Sequence, residues 1–314
     1  MRQMAKHFRF FDRTGCKPDR GPEMTARTGA VIAISSHVMR GAVGNRAIVF
    51  ALETLGLATW SVPTIVLPYH PGHGASTRLT FDDAGFARAL AELGSSRWRG
   101  EISAVISGYI AGPRQAEAIA ALVEGLKADN PGITYLCDPV SGDEKGLYVP
   151  EKTAAAIRDR LLPLADIATP NRFELSWLTG RPIDDNSAAV DAALALGPRE
   201  VVVTSAHAFI RDGVAALYVD ERQAVLAEHG RLENPPNGLG DLFSALYLAA
   251  RLAALSPAEA LEKSTASVYE VLARAIREGA DELQLERNTS GFTAPFAKVG
   301  LRQLMHPARH RRRK

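Results

Sequence analysis

Apolar, β-branched runs alternate with helix-patterned segments along the chain. "AVIAIS" (30–35) reads as a buried strand and residues 45–56 as the helix after it. "WSVPTIVL" (60–67) is strand-like, and Pro63 inside it argues for an edge or a break. Residues 82–93 pattern as a helix and "ISAVISG" (102–108) as a strand. Pro113 then opens a helix to about Asp129, at a first-turn position where a missing N–H costs nothing. "ITYLCDP" (133–139) is a strand closed by proline, followed by a helix over 151–161, a short strand "ADIATPN" (165–171) and a helix over 172–179. A helix over 187–196 leads into the strand "EVVVTS" (200–205). Residues 207–229 alternate like antiparallel hairpins, and helices over 241–254 and 257–277 finish the body.

Alternating strand and helix predicts an α/β fold, a mostly parallel central sheet flanked by helices on both faces. Ligands bind such sheets beyond the carboxyl ends of the strands. The polar and conformationally special residues gather there: "SHVMRGAVGN", "GYIAG", "DPVSGDEKGLYVP", "TPNRFE" and "TSAH" each follow a strand, and "NPPNGLGD" closes the hairpin region.

Composition narrows the class. The 314 residues are 46% hydrophobic and 23% charged, as in an ordinary globular protein. No apolar run approaches the roughly 20 residues of a membrane span. The N-terminus lacks the apolar core of a signal peptide, so a cytoplasmic protein with no membrane partner is expected. Cys16 and Cys137 stand far apart and supply neither a disulfide framework nor a four-ligand zinc site. Residues 1–28 hold seven Lys/Arg against three acids, and residues 302–314 hold six bases and no acid. The remainder sets 24 bases against 32 acids, a body of about −8. That division gives a basic N-terminal extension over 1–28, a folded body over 29–301 and a basic tail over 302–314. Nucleic acid is not the expected partner, because the acidic body repels the phosphates that the tails attract.

Asp138, Asp143, Glu174 and Asp241 all lie just past strand ends or at a loop-to-helix junction. Carboxylates gathered on one rim repel unless a cation sits among them, and Mg²⁺ arriving with nucleotide phosphates is the usual resolution. There is no G-x-x-x-x-G-K-[ST] loop, and "GAVGN" lacks the third glycine of a dinucleotide fingerprint. In "NPPNGLGDLFSAL" a Gly-x-Gly turn runs into an apolar helix with Asp241 at its start. Asp241 there is a helix cap or first-turn residue, or a carboxylate beside uncovered backbone N–H groups that attract a phosphate. The second arrangement suits phosphoryl transfer to an alcohol, the carboxylate accepting the hydroxyl proton. The helix dipole and nearby donors are expected to lower the pKa of Asp241.

"NGLGDLFSAL" resembles the G-[TV]-G-D motif of the ribokinase-like superfamily. "ISSHVMRGAVGNRAIVFALETLG", "SGYIAG", "YLCDPVSGDEKGLYVPE", "LADIATPNRFELSWLTGR" and "VVVTS" resemble pyridoxal kinases in the same order, from about Ala30 to Ile276. The resemblance implies a ribokinase-like fold, a homodimer, and ATP-dependent phosphorylation of the 5′-hydroxymethyl group of pyridoxal, with pyridoxine and pyridoxamine as further substrates. It implies that Ser36, Tyr109 and His70 line the vitamin pocket. Asp138, Thr169, Asn171 and Glu174 would serve phosphates and metal, with Asp143 and Tyr148 nearby; Asp138 and Glu174 would be the Mg²⁺ residues, and a monovalent cation is a further candidate. Thr204 and Ser205 would contact nucleotide phosphate or ribose. Asn237, Gly238, Leu239 and Gly240 would form the anion hole and Asp241 the base. Two departures stand out. Leu239 replaces the usual Thr or Val and brings no hydroxyl, and Pro71 replaces a Thr after His70 and removes a side-chain contact to substrate. His70 and His73 in "HPGHG" invite a metal reading, but no third ligand is nearby. The alternatives are a hydroxymethylpyrimidine kinase of the same superfamily and a vitamin B6-binding protein without turnover.

Overall fold

The structure is a computed structural model that describes residues 29–307. The extension expected over 1–28 lies outside the described residues, as do residues 308–314. In chain order the first half runs β1 (Ala30–Val38), α1 (Asn45–Thr54), β2 (Thr59–Leu67), β3 (Leu79–Thr80), α2 (Asp83–Gly94), β4 (Ile102–Ser107), α3 (Pro113–Asp129) and β5 (Thr134–Cys137). A small hairpin of β6 (Gly142–Asp143) and β7 (Gly146–Leu147) follows, then α4 (Glu151–Ala156), β8 (Ile167–Ala168), α5 (Arg172–Thr179), α6 (Asn186–Leu196) and β9 (Glu200–Ala206). The chain closes with β10 (Gly213–Val219), β11 (Ala224–Gly230), α7 (Leu239–Leu252), α8 (Pro257–Arg277), α9 (Thr289–Thr293) and β12 (Gly300–Gln303).

Ten strands form one sheet in the order β12-β11-β10-β9-β8-β5-β4-β1-β2-β3. It is parallel from β9 to β2, while β10, β11, β12 and β3 join antiparallel. Strand β1 shows why its sequence reads as a continuous apolar run. Val31 and Ala33 pack into the core under α1, α7 and α8, whereas Ile32 and Ile34 pack into the core under α2 and α3. With helices on both faces, successive residues are all buried. The expected architecture is therefore the observed one.

Pro63 sits where β2 is least constrained. The register with β1 shifts by one residue between Ser35 and His37, and β3 covers only Ile65 and Val66. Both an edge and a break are thus present beside it. The helix expected from residue 241 starts at Leu239, because Gly238 takes a left-handed conformation (φ 97°) and the helical backbone begins directly after it. No described helix is long and apolar enough to cross a membrane.

The boundary expected after residue 301 falls inside a strand. Leu301 and Arg302 pair with Ala227 and Leu226 of β11. The Arg302 guanidinium donates to Glu228, a carboxylate only 2% exposed, whose other oxygen accepts from the backbone of Phe209 (2.7 Å) and Ile210 (3.1 Å). These donors hold the Glu228 carboxyl below its ordinary value against the cost of burial. Arg302→Ala leaves that buried charge with its two backbone donors alone. A loss of about 1–3 kcal/mol is expected, read as a lower urea midpoint.

Candidate active site

Five strands adjacent in the sheet, β9, β8, β5, β4 and β1, direct their carboxyl ends to one rim. Ser36 stands near the end of β1, Tyr109 after β4, Asp138 directly after β5, Thr169 directly after β8 and Thr204 near the end of β9. All five line one cleft of about 560 Å³. Its opposite wall comes from the β2–β3 connection, with His70, Pro71 and Arg78, and from the region of the β6–β7 hairpin, with Asp143 and Tyr148. Asn171 and Glu174 enter from the start of α5, and Asn237, Gly238, Gly240 and Asp241 from the start of α7. Two expected residues fall outside it. The Ser205 hydroxyl accepts from Arg172 N (2.9 Å) and lines a neighbouring polar cleft of about 740 Å³. Leu239 packs on the core and lines a narrower cleft of about 300 Å³ beyond Gly240, with Val214, Phe243 and Leu272.

Backbone geometry shapes the start of α7. A Cβ on Gly238 would overlap the carbonyl oxygen of Ala42, so the turn admits only glycine. Leu242 N makes the first helical hydrogen bond, to Gly238 O at 3.0 Å. The N–H groups of Leu239, Gly240 and Asp241 precede it and have no intrahelical acceptor. Gly240 is exposed and open space surrounds the position of its missing side chain, so a phosphate can approach the backbone there. The β1–α1 loop supports this end of α7 a second time. A Cβ on Gly44 would overlap Ser36, and the Gly44 N–H bonds the Asp241 carboxylate.

Four carboxylates line the cleft, Asp138, Asp143, Glu174 and Asp241, and none is ion-paired with a described Lys or Arg. Asp138 accepts from Ser244 Oγ (3.0 Å), which in turn meets Thr169 Oγ1 (2.9 Å). Burial pushes the Asp138 carboxyl well above its ordinary value, and the charges of Glu174 and Asp241 add to the shift. Glu174 closes a reciprocal cap on α5. Asn171 Oδ1 accepts from Glu174 N (2.9 Å), and Glu174 Oε2 accepts from Asn171 N (2.8 Å). Its Oε1 accepts from Ser141 N (2.9 Å) and Gly142 N (3.4 Å). Burial still outweighs these donors and pushes Glu174 up to about 7.

Asp241 departs from expectation. Its pKa is pushed up to about 6, not down, because burial outweighs the Gly44 N–H. Two residues outside the expected set act at or beside the cleft, Arg78 in its lining and Glu282 behind it. Arg78 donates to the Tyr109 hydroxyl at 2.6 Å. Glu282, from the chain after α8, accepts from Ala42 N (3.2 Å) and meets His73 Nε2 (3.0 Å), tying the β1–α1 loop to the β2–β3 connection. His73 therefore has a carboxylate partner, and the described residues contain no group of three or more His, Cys, Asp or Glu able to hold a metal. His70 Nδ1 accepts from Gly72 N (3.0 Å), and burial lowers its pKa.

Residues 101–286 match the family model described as phosphomethylpyrimidine kinase. The pyridoxal kinase PdxY of Rubrobacter xylanophilus is 34% identical over 283 residues, covering 87% of this chain and 97% of that relative. The chain belongs to the pyridoxal kinase family. A pyridoxine/pyridoxal/pyridoxamine kinase of Bordetella pertussis is 38% identical over 267 residues, covering 81% of the chain and 92% of the relative. Among solved structures, the pyridoxal kinase from Leishmania donovani in complex with ADP and pyridoxamine superposes with a TM-score of 0.83 at 26% identity, covering 88% of this chain and all of that one. This pyridoxal kinase family member thus has the ribokinase-like fold, with its polar cleft at the strand ends.

Proposed function

We propose that this protein transfers the γ-phosphoryl group of ATP to the 5′-hydroxymethyl group of pyridoxal, yielding pyridoxal 5′-phosphate for vitamin B6 salvage, and likewise converts pyridoxine and pyridoxamine to their own 5′-phosphates. One observation carries the reading: Asp241 stands in the first turn of α7, beside unpaired backbone N–H groups and behind a turn that only glycine can make. Those N–H groups stabilise the charge on the transferring oxygens, and Asp241 takes the proton of the attacking hydroxyl. Ser36, His70 and Tyr109 line the vitamin side of the cleft. Thr169, Asn171 and Thr204 line the phosphate side, with Asp143 and Tyr148 at the hairpin. The narrower cleft lined by Val214, Leu239, Phe243 and Leu272 suits a nucleobase, and Ser205 at its neighbouring cleft suits ribose or phosphate.

The charges fit Mg²⁺. Asp138 and Glu174 are buried carboxylates that repel each other with no described basic partner, and a cation relieves that repulsion. Asp138 keeps oxygen sites free for the ion. Glu174 spends three of roughly four lone-pair sites on backbone donors, leaving one for a metal-bound water. Asp138, and Glu174 through a bound water, would hold Mg²⁺, and the ion would supply charge neutralisation at the nucleotide phosphates. Glu174→Gln is expected to raise the Mg²⁺ concentration for half-maximal rate about tenfold and to be partly rescued by excess Mg²⁺. A Mg²⁺ titration at saturating pyridoxal, with the pyridoxal KM unchanged, is the check. A monovalent cation beside the ATP phosphates, a homodimeric assembly, a cytoplasmic setting and the absence of nucleic-acid binding belong to the same proposal.

The second reading, a hydroxymethylpyrimidine kinase, is favoured by the description of the matching family model alone. A kinetic panel of pyridoxal, pyridoxine, pyridoxamine and the aminopyrimidine alcohol separates the two. Turnover of the pyrimidine in preference to every vitamer would overturn the first reading. Ligand binding with no ATP-dependent product would leave a vitamin B6-binding protein.

A further inference from the structure

Among the described residues, Arg78 is the only lysine or arginine lining a cleft that also holds Asp138, Asp143, Glu174 and Asp241. Among the described residues it pairs with none of these carboxylates. Its guanidinium instead donates to the hydroxyl of Tyr109 at 2.6 Å. Tyr109 is itself fixed, its N–H bonded to Ser35 Oγ (3.1 Å) and its carbonyl to Thr64 Oγ1 (2.7 Å). An arginine carries five N–H donors in a rigid fork, and Tyr109 uses one. The remaining donors belong to a cation placed on the cleft's aromatic and apolar wall, near Val43, Leu67 and Pro71. Pro71 offers no donor of its own, so polar recognition on this wall falls to His70 and Arg78. The geometry calls for an anionic oxygen attached to a flat ring.

We propose that Arg78, steadied by Tyr109, determines substrate specificity by binding the ring 3-hydroxyl of the vitamin as its phenolate. The inference rests on the pyridoxal kinase reading. That hydroxyl is acidic because the protonated ring nitrogen stabilises the anion. With the 5-hydroxymethyl group directed at Asp241, the 3-oxygen stands on the ring carbon meta to the reacting arm and takes no part in the transfer. Arg78 therefore binds substrate and transition state alike and contributes to recognition more than to turnover. An aminopyrimidine alcohol has no such oxygen, and its ring would cover the guanidinium without supplying an acceptor.

The test compares pyridoxine with 3-deoxypyridoxine, which lacks only the ring hydroxyl, in the wild type and in Arg78→Ala, Arg78→Lys and Tyr109→Phe. The wild type is expected to favour pyridoxine by about 10–100-fold in kcat/KM, the worth of a hydrogen bond to a charged group. In Arg78→Ala the two substrates converge through a raised KM for pyridoxine, with the KM for ATP and the melting temperature unchanged. Arg78→Lys keeps the charge without the fork, and Tyr109→Phe keeps the fork without its support, so both fall between. Equal losses for both substrates, or a raised KM for ATP, overturn the proposal, the latter by assigning Arg78 to the nucleotide phosphates. Discrimination that survives in Arg78→Ala overturns it alone. A wild type that phosphorylates neither vitamer overturns the pyridoxal reading and this inference together.

Discussion

Asp241→Asn is expected to lower kcat by about 10²–10⁴-fold, the usual contribution of a general base, while ATP and pyridoxal still bind. The amide keeps the size and polarity of the side chain and loses the ability to accept a proton. The pH profile gives an independent reading of the same group. Burial places the Asp241 carboxyl at about 6, and only its ionised form can act as base. Activity in the wild type should therefore fall about tenfold per pH unit below that value and level off above it. Stability should run the other way. Between the ordinary carboxylate value and about 6, the folded protein holds a proton that the unfolded chain has released. Folding stability contributed by this group is thus lost as pH rises through that window. At pH 7 Asp241→Asn should melt higher than the wild type and turn over far more slowly, the pattern of a residue kept for chemistry at a cost in stability. Turnover above about a tenth of the wild-type rate would remove Asp241 from the role of base.

The raised pKa of Asp241 also marks where a sequence stops being informative. The helix start beside Asp241 is visible in "NGLGDLF", so the dipole and the backbone donors are visible too, and both favour ionisation. Burial is not visible, because the residues that enclose the carboxylate come from β1, its following loop and the end of β4. The larger effect was three-dimensional and had the opposite sign. Glu174 repeats the lesson. Its helix-start position was legible, and the Ser141 and Gly142 donors that occupy one of its oxygens were not.

The strands of the central sheet were legible because burial on both faces leaves long apolar runs such as Val31 to Ile34. Strand β12 was not, since all four residues of Gly300–Gln303 are exposed and join the sheet through backbone pairing with β11. Its arginine reads in the sequence as part of a basic tail, whereas it faces the buried Glu228. The site residues at strand ends were legible for the reason that α/β sheets place ligands there. Arg78 and Glu282 were not, because a charged residue in a polar segment carries no sign of what it will face. The glycines of "RGAVGN" were weighed only against a dinucleotide fingerprint. Their use is steric: Gly44 lets Ser36 pass and offers its N–H to Asp241, and Gly41 leaves room for the Glu282 carboxylate.

Gly238→Ala should be among the most damaging single-methyl changes in the described residues. The residue has φ 97°, a left-handed conformation that disfavours any side chain, and its Cβ would overlap the Ala42 carbonyl oxygen. The obstacle is backbone, so no rotamer change relieves it. Either the first turn of α7 lifts away from the β1–α1 loop, or the loop moves down. Both displace the same machinery. Lifting α7 moves the free N–H groups and Asp241 from the phosphate position, and moving the loop withdraws the Gly44 N–H that bonds Asp241. Loss of one transition-state hydrogen-bond donor costs about 10²–10³-fold in kcat, and here several donors shift together with the base. A fall of at least that size in kcat is expected, with a higher KM for ATP and a lower melting temperature from the strained turn. Gly240→Ala provides the contrast. A Cβ there meets open space, so the fold should keep its melting temperature, and the methyl group would obstruct only an approaching phosphate. Measured together, the pair separates the two uses of glycine in this turn. If Gly240→Ala leaves the KM for ATP and kcat unchanged, the phosphate does not rest on the α7 N-terminus, and the anion site must be placed elsewhere in the cleft.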